Sequence, residues 1–386
     1  MTFRSSWVNI CSPNYRHLLV AAHPAPAHPL LRVWRHPLLE PFNRASSWDR
    51  LLGLANPAWS LSEPRARVVD TVDEAPGVKS VWLKPNARFR GFRAGQHTLL
   101  ELEVDGARHA RCFSFSHAPR RDGLLRLTIR HKPEGPVSTA AHALHKGAVV
   151  RLGQAQGDFA LPAGEQPLLM LSAGSGITPM LPMLQLLADA HQATGVGRDV
   201  VLVHSGRNEA ETVFANELRE LARRLPSLRL HLHESARAGR LDAGAIAQHV
   251  PDWARREILL CGPDGFMRAV EAMHTQAGAG TRLQVESFGR RQHVARPDAE
   301  RHAVEWEVGA QARTFTVESG QNLLDAAEAA GLQPRFGCRR GICHTCQCRK
   351  RSGIVHNQLT GRLSGPGEEW IQLCISTPLS DIELAP

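Results

Sequence analysis

Hydrophobic and polar residues alternate in short runs from about residue 64 to residue 163. Leu100, Leu102 and Val104 alternate with glutamates ahead of an Asp-Gly turn, and the same period of two returns at Leu125. This period is typical of half-buried strands, because successive side chains on a strand point to opposite faces. Short strands at this density predict a small antiparallel β-barrel over residues 64–163.

The pattern changes between residues 164 and 289 to apolar runs that each precede a longer amphipathic segment. The pairs are LLMLSA with PMLPMLQLLADA, VVLVHS with AETVFANELRELARRL, and EILLC with GFMRAVEAMHTQ. Strands that alternate with helices in this way predict an α/β domain with a parallel sheet. A nucleotide would bind at the carboxyl ends of its strands.

Strand signals return after the segment GRRQHVARPDAE, which predicts a linker over residues 290–301. In residues 302–386, AVEWEV and ARTFTVE predict a hairpin, NLLDAAEAAGL predicts a helix, and a cysteine-rich loop follows. We expect a third domain there, of the α+β class. At the other end, residues 1–63 are rich in His, Pro, Trp and Arg and predict an irregular basic arm.

The composition is that of a multidomain globular protein, with 42% hydrophobic and 22% charged residues among 386. A formal charge of +9 favours an acidic partner or an anionic surface, although scattered arginines could equally form a solvated surface, and we expect no nucleic-acid partner. No apolar run reaches the roughly 18 residues of a membrane helix, and His17–Ala22 is too short for a signal peptide. The sequence therefore predicts a cytoplasmic protein, with peripheral association at the inner face of the membrane as an option.

Cysteines cluster in the last domain. Cys338, Cys343 and Cys346 in GCRRGICHTC have C-x4-C-x2-C spacing, and Cys374 lies downstream. A structural zinc site, the alternative use of four cysteines, usually has paired C-x2-C knuckles. The spacing resembles that of plant-type ferredoxins, over residues 302–386. The resemblance implies a β-grasp fold and a [2Fe-2S] cluster bound by these four cysteines.

A further cysteine, Cys348, lies two residues beyond Cys346, where strand geometry is expected to direct it away from the cluster. The loop also has basic neighbours, which could raise the cluster potential, bind an acidic partner or be plain solvated charges. These basic residues are Arg339, Arg340, Arg349, Lys350 and Arg351.

The segment RCFSFS ends a predicted barrel strand and resembles the R-x-[YF]-S signature of the ferredoxin reductase superfamily. The resemblance implies that Arg111 contacts a flavin phosphate, that Phe113 packs on the flavin ring, and that Ser114 brings its hydroxyl near the reactive nitrogen as a catalytic residue. Phe113 replaces the usual Tyr, which keeps ring stacking and removes one hydrogen bond. Four residues alone are a weak signal, since alternating strands often produce such strings.

Further segments resemble the same family and strengthen the flavin prediction. AGQHTLLEL lies upstream, and EGPVST supplies Gly135, Val137 and Ser138 at a predicted helix start, where exposed amides favour a pyrophosphate. VESFG resembles the segment whose aromatic residue covers the flavin, with Phe288 as the candidate and Glu286 as a polar contact; core packing is the alternative for Phe288. FAD is the expected flavin and FMN is the alternative.

The segment AGSGITP follows a predicted strand and opens a predicted helix, with Pro179 in its first turn. Gly174 and Gly176 can bring backbone amides close to a phosphate. The G-x-G-x-T-P form, which includes Thr178, resembles the nucleotide domain of ferredoxin reductases. A structural turn is the alternative for a lone glycine pair.

The segment CGPDGF also follows a predicted strand and resembles the C-G-P motif of the same family. The resemblance implies that Cys261 lies against the nicotinamide as a catalytic residue, next to Gly262 and Pro263; a buried structural cysteine is the alternative. Ser205 and Arg207 occur where the family contacts the adenosine ribose, and an arginine there could bind a 2'-phosphate. NADPH is the expected coenzyme and NADH is the alternative.

The three predicted cofactors form a logical series. NAD(P)H gives up electrons as a hydride pair, whereas a [2Fe-2S] cluster takes one at a time, so a flavin is needed between them.

Residues 65–386 resemble oxygenase reductases with a C-terminal ferredoxin domain, and LLGLANPAWSLSEPRARVVD resembles reductases of membrane fatty-acid desaturases. The sequence therefore predicts a reductase that passes electrons to a terminal oxygenase, first of all a fatty-acid desaturase or hydroxylase. A soluble ring-hydroxylating or diiron monooxygenase is the alternative acceptor, and a redox sensor or plain electron carrier is the alternative class.

Overall fold

The computed structural model describes residues 45–278, 283–288, 300–308, 311–337, 339, 341, 344–358 and 360–385. It divides into two compact units, with the boundary after Gly289. The predicted arm up to residue 44 and nearly all of the predicted linker lie outside the described residues.

Residues Ala45–Ala55 form helix α1, so the prediction of an irregular arm is wrong for this part. The prolines that interrupt the arm lie outside this stretch, which leaves its backbone able to form a helix. Asp49 anchors the helix to the chain that follows, because its carboxylate accepts hydrogen bonds from Leu61 N–H at 2.5 Å and from the Ser60 hydroxyl at 3.0 Å. Throughout the described ranges, no helix combines the length and the hydropathy needed to span a membrane.

The first unit begins with an antiparallel sheet. Its six strands are β1 Arg65–Ala75, β2 Val78–Pro85, β3 His97–Val104, β4 Ala107–Ser114, β5 Leu125–Arg130 and β6 Val149–Leu152. Their order in the sheet is β4-β3-β6-β1-β2-β5. Just past β4, a backbone bridge between Phe115 and Leu127 joins the two edges and closes the sheet. The predicted antiparallel barrel is confirmed.

The barrel core contains the apolar residues that the period of two indicates. Leu100 and Leu102 are buried, whereas the glutamates that alternate with them are not. Helix α2, Pro136–His142, packs against the same core through Val137 and Ala141. The flavin signature at the end of β4 therefore lies in a wall of this packed barrel.

The nucleotide domain follows in the same unit and is a parallel sheet, as predicted. Its strand order is β11-β10-β7-β8-β9 and every pairing is parallel. The strands are β7 Leu168–Ala173, β8 Val200–Gly206, β9 Leu228–Glu234, β10 Glu257–Cys261 and β11 Leu283–Glu286. The helices are α3 Leu181–Thr194, α4 Ala215–Arg224, α5 Ser235–Ala238, α6 Ala243–His249 and α7 Asp264–Gln276.

Two of these helices begin later than the sequence pattern predicts. Helix α3 starts at Leu181, after a 3-10 turn at Gly174–Ile177, and not around Pro179. Helix α4 starts only at Ala215, because Phe214 has a left-handed φ of 63° that interrupts the helical path. In both places the chain makes a turn at the carboxyl side of a strand before the helix begins.

Two buried arginines fasten the other end of the parallel sheet, where β8 and β10 begin. Arg198 Nη2 lies 2.8 Å from the carboxylate of Glu257. Arg256 bonds both Asp199 at 2.8 Å and Asp252 at 2.7 Å, and these bonds hold the pKa of each aspartate below its usual value. Because buried charges need partners, these bonds fix this end of the sheet, and the predicted coenzyme-binding loops lie at the opposite end.

The second unit contains a mixed sheet and one main helix, the α+β arrangement predicted for the last domain. The five-stranded sheet has the order β13-β12-β18-β14-β16, with β12 and β18 parallel and the other pairs antiparallel. Helix α8, Leu323–Ala329, packs on the core of this unit and is capped by the side chain of Asn322. The strands are β12 Arg301–Val308, β13 Gln311–Glu318, β14 Gln347–Ser352, β15 Val355–Asn357, β16 Glu369–Gln372, β17 Ser376–Pro378 and β18 Ile382–Ala385.

Candidate functional site

The flavin signature lies at the end of β4. Alternation along the strand puts Arg111 and Phe113 on one face and Ser114 on the other. Ser114 is only 4% exposed, and its hydroxyl has no hydrogen-bond partner among the described residues. A buried hydroxyl without a partner costs about 1–3 kcal/mol, so it fits a site that a bound group completes.

Arg111 and Phe113 are both half-buried, and they have different neighbours. The Arg111 guanidinium donates to the Ala110 carbonyl at 2.8 Å, which holds the side chain along its own strand. Phe113 packs against the barrel core with part of its ring accessible. A charged group and an aromatic face on one side of the strand suit the phosphate and the ring of a flavin.

A buried pair joins the barrel to the parallel sheet at this point. His97 lies directly opposite Ser114 in the β3-β4 hairpin, and its Nδ1 is 3.5 Å from the Glu286 carboxylate. Glu286 in turn lies beside Cys261 in the parallel sheet. Ser114, His97, Glu286 and Cys261 are therefore successive neighbours across the boundary between the barrel and the parallel sheet. We call this boundary the seam; both predicted catalytic residues, Ser114 and Cys261, lie at it.

Sequence reasoning named Glu286 and missed His97. The available signal was a histidine in the AGQHTLLEL segment, opposite the signature serine in a predicted hairpin. Space for its ring comes from Gly157, where an added Cβ would lie 2.8 Å from His97 atoms.

The predicted pyrophosphate segment begins helix α2. Gly135 is the residue before the helix, and the Val137 side chain is buried in the barrel core. The Ser138 hydroxyl lies 2.9 Å from the Gly135 carbonyl and 3.1 Å from the Lys132 carbonyl. Because the Val137 side chain is buried and the Ser138 hydroxyl donates within the domain, a phosphate would be bound here by backbone amides.

The glycine loop at the end of β7 packs directly on the C-G-P segment at the end of β10. An added Cβ at Gly176 would lie 2.1 Å from the Cys261 carbonyl oxygen, so no other residue fits there. Gly174 has a left-handed φ of 56°, and Thr178 donates from its hydroxyl to the Ser175 carbonyl at 2.9 Å. The loop is thus a tight turn held against the end of β10.

Cys261 ends β10 and is fully buried. The next residue, Gly262, faces Ala173 and Phe266, and Pro263 precedes helix α7. Phe288, two residues beyond Glu286, is 37% exposed and so is not a core residue. An exposed aromatic residue at the strand ends remains a candidate to cover a flat ring.

The predicted adenosine site lies one strand further along. Ser205 is within β8 and buried, whereas Arg207 follows the strand and is exposed. The Arg207 carbonyl accepts from the Ala236 amide at 2.9 Å, which brings the exposed Arg237 to the same edge. Sequence reasoning missed Arg237, although it lies in the arginine-rich segment SARAGR.

Two of the four predicted cluster ligands can be placed. Cys338 and Cys343 lie outside the described residues, whereas Cys346 and Cys374 are both buried. The Gly341 amide donates to Cys374 Sγ at 3.2 Å. An amide aimed at a sulfur is the contact that stabilises a thiolate ligand of an iron-sulfur cluster.

Cys348 differs from these cysteines in its bonding. Its thiol donates to the Ala385 carbonyl at 2.9 Å, and burial raises its pKa to about 11. A thiol with this pKa stays protonated, whereas a metal ligand must be a thiolate. The geometry supports the expectation that Cys348 is not a ligand.

The interpretation of basic surface charge around the cluster loop is wrong for Lys350. This residue is fully buried, and its ammonium group donates to the Gly365 carbonyl at 2.9 Å and also to Gly367. Arg349 and Arg351 have acidic partners, at 3.3 and 2.6 Å. Alternating burial on β14 explains the difference, because a lysine in a run of basic residues can face the core.

Three family models match successive parts of the chain. They are an oxidoreductase FAD-binding domain over residues 78–161, an oxidoreductase NAD-binding domain over residues 170–272, and a 2Fe-2S iron-sulfur cluster binding domain over residues 307–379. The matches fall on the barrel, the parallel sheet and the mixed sheet. FAD, NAD(P)H and a [2Fe-2S] cluster are therefore the cofactors.

Relatives match over almost the whole chain. An NADPH oxidoreductase of Mycobacterium tuberculosis is 36% identical over 342 residues, which is 87% of this chain and 88% of the relative. The glycine betaine monooxygenase reductase subunit of Chromohalobacter salexigens is 29% identical over 84% of this chain and 96% of its own length.

A solved structure contains the same series of folds along its chain. Phthalate dioxygenase reductase, described as a modular structure for electron transfer from pyridine nucleotides to [2Fe-2S], superposes with a TM-score of 0.53 at 20% identity. The match covers 83% of this chain and 96% of that structure. The chain belongs to the ferredoxin-NADP reductase family, as an NAD(P)H-dependent oxidoreductase in which FAD- and NAD-binding domains precede a C-terminal 2Fe-2S ferredoxin domain.

Proposed function

We propose that this enzyme is the reductase component of an oxygenase system and supplies single electrons to a separate oxygenase. The observation that carries the proposal is the order of three cofactor domains in one chain, shared along their length with a monooxygenase reductase subunit. When bound, FAD accepts a hydride from NAD(P)H and releases its electrons singly to the [2Fe-2S] cluster.

The residues at the domain seam orient the reacting groups. Ser114 offers a buried hydroxyl to the flavin, and the fully buried Cys261 forms the facing wall for the nicotinamide. His97 and Glu286 lie beside them with side chains only 2% and 7% exposed, so this part of the seam is largely shielded from water. In a dry site these fixed polar groups act more strongly than they would in water, which favours transfer between the rings over leakage to solvent.

NADPH is the coenzyme that the site favours. Arg207 and Arg237 are exposed at the carboxyl ends of two neighbouring strands, where the adenosine end of the coenzyme would lie. Two guanidinium groups can bind the 2'-phosphate that distinguishes NADPH from NADH.

A soluble oxygenase is the proposed acceptor. The relatives favour this alternative over the fatty-acid desaturase that was expected first, since the oxygenase systems in their names are those of glycine betaine and phthalate. The FAD-binding and NAD-binding domains that precede the ferredoxin domain also favour a reductase over a redox sensor or plain carrier.

Reconstitution with purified acceptors tests the proposal. We expect NADPH consumption to be coupled to product formation with a soluble ring-hydroxylating or diiron oxygenase, because each takes single electrons from a ferredoxin domain. A membrane acyl desaturase in vesicles serves as the comparison. Coupled turnover with the desaturase alone would contradict the proposed acceptor and restore the first expectation.

Substitution of a cluster ligand should separate the two halves of the pathway. We expect Cys374→Ser to retain NADPH oxidation with a two-electron dye that accepts from the flavin, and to lose reduction of cytochrome c, because single electrons leave through the cluster. The matched control is Cys348→Ser, which keeps a hydrogen-bond donor near Ala385 and should retain both activities. Retention of both activities by Cys374→Ser would place the cluster off the pathway.

Coenzyme choice should depend on the exposed arginines. We expect Arg207→Ala to raise the KM for NADPH by about tenfold to a hundredfold and to change the KM for NADH little, since a charge-assisted hydrogen bond contributes about 1.5–3 kcal/mol. Arg223→Ala, at an exposed arginine on α4 that pairs with Glu220, is the control for overall charge. An equal rise in the KM values for NADPH and NADH would show that Arg207 does not bind the 2'-phosphate.

A further inference from the structure

A set of polar side chains, buried except for a partly exposed glutamate, joins the flavin barrel to two helices of the nucleotide domain. Its central member is Arg126 on β5, whose side chain is 6% exposed. The guanidinium donates to both carboxylate oxygens of Glu217 on α4, at 3.0 and 3.2 Å. Its Nε also donates to the Ser116 carbonyl at 3.0 Å. This forked geometry is the strongest form of arginine-carboxylate pairing and fixes direction as well as distance.

Gln185 on α3 closes these bonds into a ring. Its amide nitrogen donates to Glu217 at 2.6 Å, and its amide oxygen accepts from the Ala118 backbone N–H at 2.6 Å. Ser116 and Ala118 belong to one short segment of the barrel. The hydrogen bonds therefore connect Ser116 of the barrel, through Arg126, to Glu217 on α4 and Gln185 on α3. They return to the barrel at Ala118, two residues beyond Ser116. We call the three side chains Arg126, Glu217 and Gln185 the polar ring.

Aromatic residues from both domains enclose the Arg126 guanidinium. It lies 5.3 Å from the centre of the Trp82 ring of the barrel and 4.6 Å from that of Phe214, which precedes α4. A cation between two aromatic faces is desolvated, so its hydrogen bonds are strengthened and the loss of a partner becomes costly. The polar ring is consequently a stiff connection, unlike an exposed ion pair.

The connections of the polar ring lead to the three binding segments. Ser116 lies two residues beyond Ser114, the last residue of the flavin signature. Helix α3 follows the glycine turn Gly174–Ile177, and helix α4 follows the loop that contains Arg207. One ring of hydrogen bonds thus links the strand that meets the flavin with both loops that meet the coenzyme.

We propose that the polar ring is a positioning device for hydride transfer, which holds the coenzyme loops at a fixed distance from the flavin strand. Its residues touch neither reacting group and act through the segments that they connect. The inference rests on the NAD(P)H reductase activity and is independent of which oxygenase receives the electrons. A displacement of about 1 Å in such an arrangement can slow a reaction about 100-fold, so loss of the ring should be measurable.

Two variants open the ring in different ways. Arg126→Lys keeps the charge and loses the fork, and Gln185→Met keeps the length of the side chain and loses both hydrogen bonds. In anaerobic stopped-flow experiments with NADPH, we expect each to lower the hydride-transfer rate constant about tenfold or more. The long-wavelength absorbance of the nicotinamide-flavin complex should weaken, while the NADPH dissociation constant stays within about twofold, because the binding loops themselves are intact.

The matched control is Arg224→Lys. Arg224 forms an exposed ion pair with Asp189 and so joins the same two helices, α4 and α3, at the surface. Its substitution should leave the rate constant and the absorbance at wild-type values. A wild-type protein without any hydride transfer would refute the reductase assignment and the role of the ring together, whereas wild-type rates in both ring variants would refute the role of the ring alone.

Amide hydrogen exchange in the coenzyme-free protein supplies a reading that does not depend on turnover. The Ala118 amide should exchange faster in Gln185→Met, because it has lost its acceptor. If exchange accelerates while hydride transfer stays at the wild-type rate, the ring is only packing and the proposal fails. If Arg126→Lys does not fold, the result for Gln185→Met decides.

Discussion

The reductase half depends on how closely the β3-β4 hairpin of the barrel approaches the strand ends of the parallel sheet. Gly95, just ahead of β3, permits a close approach, since an added Cβ there would lie 2.4 Å from the Met183 side chain on helix α3. Buried polar groups from each domain become neighbours there. The His97–Glu286 contact at 3.5 Å is the result, and it draws Ser114 and Cys261 to one seam.

Much of this arrangement could be predicted from local patterns. The alternation around Leu100 predicts the barrel, strand-helix pairs predict the parallel sheet, and short motifs locate Ser114 and Cys261 in their strands. The role of His97 could not be found in the same way, since it depends on the partner across a hairpin and on a carboxylate about 190 residues away in the sequence. Glu217 and Gln185 carry no motif at all, and only packing brings them to Arg126.

Helix boundaries and surface charge show why other expectations failed. Helix α4 begins only after Phe214, because that residue has a left-handed backbone conformation. The hydrophobic pattern alone gives no sign of such a conformation. Lys350 belongs to a run of basic residues that resembles a charged surface, yet its side chain is buried and donates to a backbone carbonyl. The charge of +9 on the whole chain is for this reason a poor guide to the ferredoxin surface, where Arg349 and Arg351 already have acidic partners. Partner choice must then depend on shape and local contacts as well as on charge.

An anaerobic titration of the purified protein with NADPH, followed by visible absorbance and electron paramagnetic resonance, tests the central claim most directly. Electrons should enter at the flavin and continue to the cluster, so the account predicts uptake of about three electrons per molecule, two at the flavin and one at the cluster. Loss of the flavin absorbance should be accompanied by the paramagnetic signal of a reduced [2Fe-2S] cluster. Complete bleaching of the flavin without that signal, or an absence of flavin bands at the start, would contradict the account.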